Sequence, residues 1–275
     1  MDAYCVMGNP VEHSKSPWIH GRFAELTGQS LRYDKRLVGV DGFVQAVREF
    51  RAGGGKGCNV TVPFKFESPA LATTLTARAQ LARAANTMRF DGDQVLGDNT
   101  DGVGLVRDLQ DNAGVAIAGR DVLIVGAGGA ASGVLGPVIE TRPKRVVVAN
   151  RTADKALSLV ARHSPLANQC GVDLAATALA ALSGEFDIVV NATAASMSGA
   201  GVPVPASVLR PGALALDMMY GAAAAGFMQW TREHGGIARD GLGMLVEQAA
   251  EAFLVWRGVR PPSAQVLAEL RASLA

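Results

Sequence analysis

The chain has 275 residues, 49% of them hydrophobic and 19% charged, which excludes intrinsic disorder and leaves room for one large or two modest domains. Its 26 Lys and Arg balance 25 Asp and Glu, so no summed field would gather nucleic acid or an anionic bilayer, and neither is expected as a partner. Glycine is in excess, 32 residues against roughly 19 at the usual ~7%, which points to places where bare backbone is needed.

In chain order, Met1 to Gly8 lacks the basic n-region of a signal peptide, and its apolar run is too short for one. Cys5, Cys58 and Cys170 form no C-x-x-C pair and read as buried or inert thiols of a reducing compartment, so a cytoplasmic protein is expected. Strands are predicted at 3–7, 31–38 and 57–62, with helices at 17–27 and 42–51, an α/β unit in its own right. Gly8 to Pro17 sets two hydroxyls, Ser14 and Ser16, just before a helix start, where backbone donors favour an anion; plain capping of that helix is the competing reading. Asn59 and Thr61 fall on one face of a strand by alternation, with Lys65 just past its end. Asn86 and Thr87 follow an alanine-rich helix, and Gly97-Asp98-Asn99-Thr100-Asp101-Gly102 is a polar turn before the next one.

Nearly continuous apolar runs at 121–125, 145–149, 186–190 and 213–216 read as strands covered on both faces, with helices at 130–140 and 153–162 between them. This is the pattern of a Rossmann-type doubly wound parallel sheet. Gly126-Ala127-Gly128-Gly129-Ala130-Ala131 follows the first of these strands and opens a helix, which is G-x-G-x-x-A in the context that binds a dinucleotide pyrophosphate. At the end of the next strand stands Asn150-Arg151-Thr152 in place of the acidic residue that would hold a free ribose 2′-hydroxyl, which favours NADP over NAD. Asn191-Ala192-Thr193 ends a third strand at the ligand-binding edge. The uncharged stretch 188–209 contains Asn191, Gly199, Gly201, Pro203 and Pro205, so it is not expected to span a membrane. Amphipathic helices are predicted at 243–256 and 263–275.

These segments, in this order and over almost the whole chain, resemble shikimate dehydrogenases. Gly8 to Pro17 resembles the family's serine motif, Asn59 to Lys65 its catalytic segment, and Ala85 to Thr87 and Gly97 to Gly102 its substrate turns. Gly126 to Gly133, Asn150 to Thr152, Asn191 to Thr193, Asp217 to Tyr220 and Gly241 to Gln248 complete the set. The resemblance implies NADPH-dependent reversible reduction of 3-dehydroshikimate to shikimate, on the route to chorismate and the aromatic amino acids. It implies an N-terminal α/β substrate domain, 1–101 with 242–275, and an NADP-binding domain, 102–241. Ser14 and Ser16 would bind the substrate carboxylate with Tyr220 nearby; Thr61, Asn86, Asp101 and Gln248 would hold ring hydroxyls; Lys65 and Asp101 would act at the reacting carbonyl. Met219, Gly241 and Met244 would lie on the nicotinamide side.

Departures from the family pattern fall at Gly21, Thr74 and Ala194-Ala195-Ser196, none of them assigned to chemistry. A quinate/shikimate or aminoshikimate dehydrogenase, or a non-catalytic NADP-responsive regulator, remains the alternative, and the chain would act as a monomer or homodimer. His13 and His20 lack a third ligand, so no metal is expected, and His163 and His234 are expected at the surface.

Overall fold

Strands β1 (Asp2–Gly8), β2 (Leu31–Leu37) and β3 (Gly55–Val60) are joined through helices α1 (Ser16–Thr27) and α2 (Phe43–Ala52), and pair in parallel in the order β2-β1-β3. Pro17 in the first turn pre-sets α1, and Gly28 ends it in the left-handed conformation (φ 65°) that a side chain would resist. β4 (Thr74–Leu75), α3 (Ala77–Ala82) and the hairpin β5 (Thr87–Asp91) and β6 (Gln94–Asp98) complete a six-stranded sheet, with β5 antiparallel to β3. β1 is buried on both faces, which is why it reads as an unbroken apolar run.

Helix α4 (Asp101–Arg107) is followed by a π-helical segment, Asp108–Asn112, and then by β7 (Asp121–Val125), α5 (Gly129–Glu140), β8 (Arg145–Asn150), α6 (Ala153–Cys170), β9 (Asp173–Ala178), β10 (Phe186–Asn191), β11 (Leu209–Asp217), α7 (Ala225–Glu233) and β12 (Ile237–Arg239). The six strands β7 to β12 form one wholly parallel sheet, in the order β12-β11-β10-β7-β8-β9. That is the doubly wound arrangement, with its strand order reversing between β7 and β10, where ligands bind beyond the carboxyl ends. Helices α8 (Leu242–Arg257) and α9 (Ser263–Leu274) follow.

The structure, a computed structural model, describes residues 1–193 and 204–274; the departure noted at 194–196 lies outside them. The chain divides into two compact units, 1–104 with 246–275 and 105–245. In the first unit, the return of α8 is fixed by Trp256, whose Nε1 donates to Met88 O at 3.0 Å and whose ring stacks on Tyr4 at 4.6 Å. In the second, Val122, Ile124, Val146, Val148, Ile188 and Val190 form the centre of a core covered by α5 and α6. Among the described residues, no helix is long and apolar enough to cross a membrane.

One expectation fails. His163 is not at the surface but fully buried, because α6 runs on to Cys170 and its inward stripe is Ala156, Leu159, His163 and Ala167 at helical spacing. Burial pushes its pKa down to about 4, and its Nδ1 lies 2.9 Å from Leu159 O.

His20 also lies inside, stacked on Tyr33 at 4.4 Å and surrounded by Phe23, Phe253 and Trp256. Burial pushes the imidazole down to about 3, against about 6.5 in the unfolded chain. Between those values the unfolded chain binds a proton that the folded chain refuses, so stability falls as pH drops below 6.5. At pH 5 the loss from this group is about 2 kcal/mol. Urea unfolding at pH 7 and pH 5 of wild type and His20→Phe should show the loss in wild type and a smaller one in the variant. Equal losses would remove His20 as the cause.

Candidate active site

In the first unit, polar side chains from four separate stretches of chain converge. Lys65 sits on a short 3-10 turn, Phe64–Phe66, and its carbonyl accepts from Ala85 N at 2.9 Å and Ser68 Oγ at 3.1 Å, so the backbone beneath the ammonium is pinned. Its Nζ donates to Asp101 Oδ2 at 2.7 Å, with the two side chains 17% and 7% exposed. Asp101 opens α4, and its other oxygen, Oδ1, accepts from Asn86 Nδ2 at 2.8 Å. Asn86 Nδ2 also reaches Thr100 Oγ1 at 3.1 Å and Gln248 Oε1 at 3.2 Å, and Thr100 Oγ1 donates to Gln248 Oε1 at 3.3 Å. Lys65, Asn86, Asp101 and Gln248 are thus one connected cluster.

The Asp98–Asp101 loop is braced from below. Arg78 grips Asp98 with two bonds of 2.7 and 2.6 Å and reaches Glu251, one turn beyond Gln248 on α8, at 3.1 Å. Burial alone would raise the Asp98 carboxyl, but the bonds from Arg78, Thr76 and the Asn99 N–H override it and hold its pKa below the ordinary value.

Asn9 N donates to Val62 O at 2.9 Å and Thr61 N to Met7 O at 3.0 Å, which ties the loop after β1 to the Thr61–Lys65 segment. Ser14 and Ser16 stand where that loop enters α1; Ser16 N donates to Ser14 Oγ at 3.3 Å, and Lys15 at the cap position makes no side-chain capping bond. A helix N-terminus with two hydroxyls is suited to a carboxylate.

In the second unit, Gly126 leaves β7 at φ 112° with Ala192 O only 3.0 Å from where a Cβ would lie, so both its conformation and its surroundings require glycine. Gly128 is exposed, with nothing within 4 Å of its Cβ position, and no side chain caps α5 behind it. The first turn of α5, from Gly129 through Ala130 and Ala131, therefore offers backbone N–H groups and the positive end of the helix to open space, which fits a pyrophosphate. Ala127 is half-buried in this turn. Asn150 ends β8, and Arg151 and Thr152 stand exposed before α6; Asn150 Nδ2 donates to Thr152 O at 2.8 Å and shapes this turn. At the end of β10, Asn191 Nδ2 donates to Asp217 Oδ2 at 2.9 Å, and Asn191 Oδ1 accepts from Thr193 Oγ1 at 2.8 Å. Asp217 Oδ1 takes the Met219 N–H at 2.8 Å, which locks the loops after β10 and β11 together. Tyr220 follows, half-buried; Gly241 is packed on Met218 O, and Met244 is buried against the sheet core.

Asn59, which alternation placed beside Thr61 on one face of a strand, is buried on β3, and Thr61 lies just past that strand's end. Sequence reasoning passed over three residues. Lys155, exposed in the first turn of α6 four residues after Arg151, is a cation at a helix end that disfavours one. Tyr33 and Arg78 gave no signal, since an aromatic in a strand and a basic residue in a helix are ordinary.

Three family profiles match in succession: "Shikimate dehydrogenase substrate binding domain" over residues 6–88, "Shikimate / quinate 5-dehydrogenase" over 108–198 and "Shikimate 5'-dehydrogenase C-terminal domain" over 241–271. The chain is 62% identical over 274 residues to a shikimate dehydrogenase (NADP(+)) of Acidovorax sp. (strain JS42), covering 100% of this chain and 97% of that one. The chain belongs to the shikimate dehydrogenase family. Among solved structures, an Ael1 enzyme from Pseudomonas putida superposes with a TM-score of 0.89 at 45% identity, covering 98% of each chain. A shikimate 5-dehydrogenase from Thermus thermophilus, in complex with NADP(H) and shikimate, superposes with a TM-score of 0.84 at 27% identity over 100% of both chains.

Proposed function

We propose that this chain catalyses the NADP-dependent reversible reduction of 3-dehydroshikimate to shikimate, a cytoplasmic step toward chorismate and the aromatic amino acids. The observation that carries the reading is the Lys65–Asp101 ion pair joined to Asn86 and Gln248. Withdrawing such a pair from water is neutral or costly for stability, so a largely buried pair with Asn86 as donor to Asp101 points to chemistry rather than to folding. Bound NADPH would supply the hydride. As negative charge grows on the ketone oxygen, Lys65 Nζ donates a proton to it; in the oxidation of shikimate the same amine accepts the hydroxyl proton. Asp101 orients the amine and holds a ring hydroxyl, as do Thr61, Asn86 and Gln248. Ser14 and Ser16 bind the substrate carboxylate, with Tyr220 contributing to that end.

In the second unit, the turn from Gly126 to Ala131 would receive the pyrophosphate and Asn150, Arg151 and Thr152 the 2′-phosphate. Asn191, Ala192, Thr193, Met219, Gly241 and Met244 would form the nicotinamide side. Arg151 can give a phosphate paired N–H donors, and Asn150 ends β8 where an acidic residue would repel one. Arg151→Ala should raise KM for NADP+ about 10-fold or more while leaving KM for NAD+ nearly unchanged. An unaltered preference would remove Arg151 from the 2′-phosphate site.

The profile over 108–198 names quinate beside shikimate, which keeps a quinate-oxidising sibling as the second reading. NADPH formation at 340 nm with shikimate and with quinate separates the two: shikimate is expected to give the higher kcat/KM with NADP+. Higher kcat/KM on quinate would favour the sibling, and turnover of neither would favour a regulator.

A further inference from the structure

A chain of hydrogen bonds runs inward from the Lys65–Asp101 pair to a tyrosine that the reaction has not yet used. Tyr33, on β2, is buried with its ring stacked on His20, and its hydroxyl donates to Asn59 Oδ1 at 2.7 Å. Asn59 Nδ2 donates in turn to Asn86 O at 3.1 Å and Thr87 Oγ1 at 3.0 Å. Thr87, having accepted from Asn59, gives its own proton to Asn86 Oδ1 at 3.0 Å, where the Thr100 N–H also arrives at 2.8 Å. The Asn86 side chain therefore presents its nitrogen, not its oxygen, to Asp101 Oδ1. Every donor in the series points the same way, Tyr33 to Asn59 to Thr87 to Asn86 to Asp101, and each link fixes the orientation of the next.

We propose that Tyr33 is a positioning residue for the reaction, acting through Asn59 and Thr87 to hold Asn86 as a donor toward Asp101. The inference rests on the role given above to Lys65 and Asp101. The phenol suits the task. Burial lifts its pKa well above the ordinary value, so it remains a neutral donor across the working range. Losing the hydroxyl would take a short, buried bond from the Asn59 amide oxygen at the head of the series, and a small displacement of groups at a reacting centre is amplified in rate.

The test is a double-mutant cycle on shikimate oxidation. Tyr33→Phe keeps the ring and its stacking; it is expected to lower kcat/KM for shikimate about 10-fold with KM for NADP+ unchanged. In an Asn59→Ala background the same substitution should have little further effect. 3-Fluorotyrosine at position 33, which retains the hydroxyl, should restore wild-type kcat/KM and serves if the phenylalanine variant folds poorly. Additive losses across the cycle, a fluorotyrosine protein as impaired as Tyr33→Phe, or a fall in thermal stability with unchanged kinetics would each overturn the proposal. Asp101→Asn separates the two levels. If it abolishes turnover while Tyr33→Phe is normal, only the role of Tyr33 fails; if it turns over normally, the reading of the Lys65–Asp101 pair fails.

Discussion

Lys65→Ala is expected to lower kcat for shikimate oxidation by about 10²–10⁴, with little change in KM, the range for removal of a positioned acid–base group. The expectation follows from how the residue is held. Its carbonyl is fixed by Ala85 N and Ser68 Oγ and its turn by Phe64, which is buried against Phe43 at 4.8 Å. Truncation therefore deletes the ammonium and leaves the backbone in place. The substrate's carboxylate and remaining hydroxyls would still meet Ser14, Ser16, Asn86 and Gln248, which is why binding should persist while the proton transfer is lost. Steady-state kinetics alongside a thermal melt checks both halves, and a kcat near that of wild type would take Lys65 out of the mechanism.

Gly243→Ala is expected to destabilise the protein by about 3 kcal/mol or more, through a buried ion pair rather than through the helix itself. A methyl at this position would overlap the carboxylate of Asp108. That carboxylate is fully buried and held by Arg239, whose Nε and Nη2 donate at 2.9 and 2.5 Å, and by Asn112 Nδ2 at 3.1 Å. It begins the π-helical segment, so it has little freedom to retreat, and pushing it aside strands a charge away from water. Gly226→Ala, in α7 with nothing within 4 Å of the added carbon, is the comparison and should be neutral or slightly stabilising. Urea unfolding of both variants decides; a Gly243→Ala protein as stable as Gly226→Ala would show that the Asp108 pair can shift without cost.

The parallel sheet was legible because its strands are covered on both faces and so appear as apolar runs ending in glycine or asparagine, as at Val122 to Gly126 and Ile188 to Asn191. β9 escaped notice because Leu174-Ala175-Ala176-Thr177-Ala178 carries little β propensity and is specified by its place beside β8. The hairpin of β5 and β6 did carry its own signal, the two-residue turn Gly92-Asp93 between the paired Asp91 and Gln94, with Gly92 at φ 58°. Local periodicity placed Asn86 and Asp101 near turns, but their meeting with Gln248, 162 and 147 positions downstream of each, is a tertiary fact that only the motif resemblance anticipated. Gly241 shows the reverse. The resemblance marked it for the nicotinamide side, whereas packing on Met218 O already demands the missing side chain.

Deuterium transfer puts the proposed reaction to the test. With NADPH carrying two deuterons at C4 of the nicotinamide and 3-dehydroshikimate as substrate, mass spectrometry and NMR of the product should find one deuterium, bound to the carbon that was the ketone. Shikimate formed without deuterium at that carbon, or no shikimate formed at all, would contradict direct hydride reduction by this protein.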